Sequence, residues 1–132
     1  MQPHRFGLIH ADLRLANLLV SGAHTRLIDF DDCGLSWFMQ DLAAALSFHE
    51  DHPQVPRWVD HWLAGYGQYG QLDSADLDIL PALVIQRRIQ LLAWTGTHRN
   101  TQQVQSLGMD WSARTLDLCR TWDRGQLLRG IG

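Results

Sequence analysis

The sequence predicts a mainly α-helical domain with a small β-hairpin near its start. Three observations carry that prediction. Beyond residue 36, apolar residues recur at three- and four-residue spacing through most of the chain. Before that point, two short apolar runs flank the turn-forming stretch Ser-Gly-Ala-His, 21–24. Finally, 132 residues that are 45% hydrophobic and 19% charged suffice for one globular unit with its own core.

Taken in order, "FGLIH" (Phe6 to His10) is a short apolar run expected to be a strand, followed by a polar loop. "LLV", "SGAH" and "TRLID" then read as two strands joined by a turn containing Gly22. Ser36 is the expected N-cap of a first helix, whose apolar side runs through Leu42, Ala45, Leu46 and Phe48. Pro53 and Pro56 punctuate, and a second helix is expected from about Val55 to Tyr66. Pro81 sits near the start of a long third helix, with Leu83, Val84, Ile85, Ile89, Leu92 and Ala93 as its buried side. A last amphipathic helix is expected over Asp110 to Leu128.

Composition removes several function classes. A formal charge of −3, with no arginine stripe, gives no basic field to displace counterions from nucleic acid. No run reaches the ~18 apolar residues of a membrane span, and the N-terminus lacks a signal segment, so no membrane role and a cytoplasmic location are expected. Two cysteines, Cys33 and Cys119, suit a reducing compartment. All 11 basic residues are arginine. Any mechanism that needs a lysine is therefore closed to these residues.

Chemistry concentrates in "LIHADLRLAN" (Leu8 to Asn17) and "LIDFDD" (Leu27 to Asp32). In a hairpin turning over 21–24, Leu18 faces Leu27, so Asn17 lies opposite Ile28 and diagonal to Asp29. Such neighbours stand roughly 5–8 Å apart. An amide oxygen and a carboxylate that close can share a hard cation such as Mg²⁺, with phosphate and water completing its shell. Asp12, on the loop entering the hairpin, is placed to receive a proton from a hydroxyl beside that cation.

Those residues resemble a known family. "HADLRLAN" is similar to the His-x-Asp-x-x-x-x-Asn catalytic loop, and "IDFDD" to the metal-binding Asp-Phe-Asp, of the aminoglycoside phosphotransferase and choline kinase-like enzymes. The resemblance implies the C-terminal lobe of a protein kinase-like α+β fold. It implies a transfer of the ATP γ-phosphate to a hydroxyl of a small molecule, with Mg²⁺. By position it makes Asp12 the catalytic base, His10 the loop brace and Asn17 and Asp29 the nucleotide-linked metal ligands. Arg14 joins Asp12 and His10 in the expected catalytic group, and Asp31 joins the expected metal set. Asp31 and Asp32 are otherwise read as solvated loop carboxylates. Asp41, in "QDLAAAL", is similar to the family aspartate that steadies the catalytic loop.

The sequence departs from that pattern in places. Ala11 stands where the family usually has Gly, and Leu15-Ala16 replace the common Pro-Gly. Only nine residues precede His10, and no lysine is present, so the chain reads as the C-terminal lobe alone, inactive by itself for want of a nucleotide lobe. The face that would meet such a lobe is then expected to be apolar and open to self-association into a homo-oligomer. The rival functions are a non-catalytic module that binds a partner and a metal-dependent phosphohydrolase.

Two motifs are decoys. "GYGQYG" (Gly65 to Gly70) follows a helical run rather than a strand and reads as a helix end and turn. "HEDH" (His49 to His52) spaces its histidines three apart, not the four of a zinc-protease helix, and reads as a solvated helix terminus. Trp58, Trp62, Tyr66, Tyr69 and Trp94 read mainly as packing, with a cation–π wall as the alternative.

Overall fold

The computed structural model describes residues 4–131. Among these residues four strands and five α-helices follow in order: β1 (Phe6–Ile9), β2 (Leu18–Ser21), β3 (His24–Leu27), β4 (Gly34–Trp37), α1 (Met39–Ala45), α2 (Val55–Tyr66), α3 (Ser74–Thr97), α4 (Gln102–Ser106) and α5 (Trp111–Asp123), with a short 3-10 turn over Leu15–Asn17. The mainly helical class with a small antiparallel β part is as the sequence predicts.

β2 and β3 form the hairpin in the expected register, Leu18 against Leu27 and Val20 against Thr25. Ser21 also pairs with His24, which shortens the turn to Gly22 and Ala23. Gly22 takes φ +57°, the conformation a primed hairpin turn requires of its first central residue. A second two-stranded ribbon, β1 with β4, pairs Phe6 with Trp37 and Ile9 with Gly34. That ribbon corrects the sequence reading of Ser36. Ser36 pairs with Gly7 as a strand residue, and its hydroxyl donates to the Gln40 side chain instead of capping a helix. The edge-to-face contact of Phe6 on Trp37, 5.7 Å between centroids, fixes the ribbon, and the helix waits until Met39.

α2 falls where its spacing placed it, with Val55, Val59 and Leu63 buried one above the other. α3 opens on a capping box: the Asp76 amide donates to Asp73 Oδ1 and the Asp73 amide to Asp76 Oδ2. Pro81 lies two turns inside this helix rather than at its start. The buried side of α3 is Leu80, Leu83, Val84, Ile85, Arg88 and Leu91. Ile89, expected inside, is 51% exposed, and Ala93 is exposed too, because an arginine occupies the core position that an apolar count assigns elsewhere. The last helix is shorter than expected. It stops at Asp123, where Gly125 at φ +66° turns the chain. α4 was not foreseen; Thr101 caps it, accepting from the Val104 amide.

α3 is the axis of the molecule, packed between α1 and α5. Met39, Leu42, Leu46, Val55, Val59, Leu63, Leu80 and Val84 form one core. No described helix is long and apolar enough to cross a membrane. The "GYGQYG" stretch is the end of α2 and the turn after it. A Cβ at Gly70 would lie 2.5 Å from the Tyr66 ring, which explains that glycine by packing.

Candidate active site

The loop between β1 and β2 is held by Asp41, by Ile28 and by hydrogen bonds among its own residues. Asp41, in the first turn of α1, accepts from the His10 amide at 3.0 Å and the Ala11 amide at 2.8 Å. His10 Nδ1 accepts from the Asp12 amide, which leaves Nε2 to carry the proton and donate to Ile28 O at 2.9 Å. Asn17, buried, donates from Nδ2 to Asp12 O at 2.8 Å and to Asp12 Oδ2 at 3.0 Å. His10 is thus a brace between the loop and the segment that carries Asp29.

Ala11 pays for this geometry with φ +68°. A left-handed Cβ costs ~1–2 kcal/mol, and glycine returns part of the relief as unfolded-chain entropy. Ala11→Gly should therefore raise unfolding stability by about 0.5–1 kcal/mol in urea titration. An unchanged or lowered midpoint would refute the strain.

Asp12 carries the densest set of contacts. Its Oδ2 accepts from Asn17 and from Arg14 Nε at 3.2 Å; its Oδ1 accepts from Arg87 Nη2 at 2.6 Å. A carboxylate oxygen offers two lone-pair positions, so Oδ1 keeps one open among the described residues. Asp12 lines a cleft of about 220 Å³ together with Arg14, Asp32, Phe48, Arg87, Gln90, Leu91 and Trp94. Arg87, Gln90, Leu91 and Trp94 share one face of α3 at helical spacing.

The expected metal residues follow from the hairpin. The Ile28 amide donates to Asn17 O at 3.1 Å, which extends the β2–β3 pairing and brings Asp29 in one residue later. With Nδ2 engaged by Asp12, Asn17 Oδ1 is the amide atom left to accept. Asp29, at φ +62°, and Asp31 are exposed. No group of three or more His, Cys, Asp and Glu among the described residues has metal-holding geometry. Asn17 Oδ1 and the Asp29 carboxylate are hard oxygen donors, the ligand chemistry of a hard divalent cation.

The model of the phosphotransferase enzyme family matches residues 1–79. The chain belongs to that family. Among its relatives, the amicoumacin kinase of Bacillus subtilis (strain 168) is 33% identical over 85 residues, covering 58% of this chain and 25% of that protein. The solved structure of a microcompartment-associated aminopropanol kinase superposes with a TM-score of 0.84 at 40% identity, covering 97% of this chain and 41% of that one. The amicoumacin kinase hAmiN, solved in complex with AMP-PNP, Ca²⁺ and Ami, superposes at 0.66 and 23% identity, over 100% of this chain and 41% of that one. These family members are small-molecule kinases, and the fold is protein kinase-like. The chain spans a quarter to two fifths of their lengths.

Sequence reasoning missed Arg87, Gln90 and Asp32. Arg87 lies 75 residues from Asp12, and only the shared helix face with Trp94 hinted at a wall. Asp32, read as a solvated carboxylate, is exposed yet lines the cleft. Trp94 lines it too, whereas Trp62 stacks on Tyr66 and Trp58 on His52. "HEDH" is not the solvated helix terminus its sequence suggested: it lies in the turns after α1, Glu50 is buried against Arg88, and Asp51 pairs with Arg88 and Arg114.

Proposed function

We propose that this chain carries the base, metal and acceptor residues of an ATP-dependent kinase acting on a hydroxyl of a small molecule. The observation that carries the reading is Asp12: three side chains fix its carboxylate, and one open position of Oδ1 belongs to a residue lining the cleft. The acceptor hydroxyl gives its proton to Oδ1 while its oxygen bonds to the γ-phosphorus. The bond to the bridging oxygen breaks, and ADP leaves with that pair. Asn17 and Asp29, with Asp31 beside them, are the residues to hold Mg²⁺, which supplies charge neutralisation when bound. An amino alcohol is the first acceptor to try, from the aminopropanol kinase likeness and from Asp32 and Trp94, which suit an ammonium group.

The test is ATP-dependent phosphorylation of a panel of amino alcohols, amino acids and aminoglycosides, with Asp12→Asn as control. Acceptor-dependent turnover lost in that variant supports the kinase. Phosphate release without acceptor supports a hydrolase instead.

A second reading, a self-associating module, has its own observation. Leu8 and Leu35 oppose each other across the β1–β4 ribbon at 71% and 73% exposure. Leu15, Leu19, Val20 and Phe30 add exposed apolar surface. Sedimentation should show association that grows with concentration and disappears in Leu8→Lys. A strict monomer at high concentration would end this idea.

A further inference from the structure

Arg87 does two things at once. Its Nε donates to Ser47 Oγ at 2.8 Å, and buried Ser47 donates in turn to Ala44 O, which seats the guanidinium against the end of α1. Its Nη2 donates to Asp12 Oδ1. A guanidinium has five N–H groups, and Nη1 is free of any partner among the described residues, although it is not one of the buried polar atoms left unpaired. Arg87 also lines the cleft. Arg14 approaches Asp12 from its other oxygen through Nε alone. Two guanidiniums against one carboxylate leave that trio at +1, with Asp32 the opposing charge on the cleft wall.

We propose that Arg87 binds an oxyanion in this cleft through Nη1 while Nη2 holds Asp12 in orientation. A phosphoryl oxygen of the transferred group and a carboxylate on the acceptor share this chemistry. Only the choice of the phosphoryl group rests on the kinase reading. The geometry favours arginine over lysine, because an ammonium on a flexible stem cannot serve Ser47, Asp12 and an anion in one fixed plane.

The test needs no turnover. The 132-residue chain, labelled with ¹⁵N, is titrated with sodium tripolyphosphate and separately with lactate, following the arginine side-chain N–H resonances. Tripolyphosphate should move the Arg87 resonance, and Arg87→Lys should weaken its binding about tenfold, the loss of one charge-assisted hydrogen bond. Ser47→Ala should weaken it less, and Gln86→Ala, an exposed neighbour, not at all. Binding of lactate alone assigns the site to an acceptor carboxylate and overturns the phosphoryl choice. An Arg87 resonance that neither anion moves, or equal affinity in Arg87→Lys, overturns the proposal. Should Arg87→Lys fail to fold, the wild-type titration decides. Anion binding at Arg87 in a protein that transfers no phosphate would remove the kinase reading and leave this site standing.

Discussion

Asp12→Asn is expected to lower phosphotransfer about 10³-fold in kcat, with the acceptor KM little changed. An amide cannot take the hydroxyl proton, and a positioned base contributes roughly 10²–10⁴. The variant keeps one oxygen to accept from Arg87, so the loop should hold its shape at a cost of about 1–3 kcal/mol for the mismatched partners. Rates and thermal melting measured on the same preparation separate the two effects. A rate within threefold of wild type would remove Asp12 as the base, and an unfolded variant would show that its structural role dominates.

The second large effect lies away from the cleft. Arg88 is fully buried, with Nη1 donating to Glu50 Oε2 at 2.6 Å, Nε to Thr115 Oγ1 at 2.8 Å, and its guanidinium 3.3 Å from the Trp111 ring centroid. Arg88→Met strands Glu50, itself 2% exposed, and should cost about 3–5 kcal/mol in denaturant unfolding. That is a large part of the roughly 5–15 kcal/mol of a typical domain. Adding Glu50→Leu should recover most of the loss, since a buried pair replaced by apolar groups is often neutral. Failure to recover would mean that Thr115 and Trp111, not Glu50, are the partners that matter.

The pH dependence follows from the same residue. Burial holds the Glu50 carboxyl above the usual carboxylate range, more strongly than the Arg88 hydrogen bond lowers it. A folded-state value above the unfolded one favours folding in acid, and that contribution fades as pH rises through the raised value. In Arg88→Met the stability deficit should therefore be largest near neutrality and shrink as acidification protonates Glu50, which burial makes easier than for an ordinary carboxylate. A deficit independent of pH would contradict it.

Legibility in the sequence tracked distance along the chain. The hairpin register could be read from one turn, because Leu18, Leu27 and Gly22 lie within ten residues. α2 was legible because its apolar period is uninterrupted. β4 was not, since its partner β1 lies far upstream and Ser36 has the local chemistry of a cap. The phase of α3 was misread where Arg88 takes a core place that only Glu50 and Thr115 justify. At the site, the loop residues and Asp41 stood out by motif, whereas the place of Arg87 depends on how α3 meets the catalytic loop, and that of Asp32 on where the β3–β4 loop comes to lie against α3.

The span of 75 residues between Asp12 and Arg87 has a consequence for biosynthesis. At 5–20 residues per second, a ribosome needs roughly 4–15 s to go from one to the other. Until then the nascent loop has only partners nearer in the chain, among them Arg14, Asn17, Ile28 and Asp41 as each is made, to shape it. Translation must pass α3 before the carboxylate can acquire its final orientation.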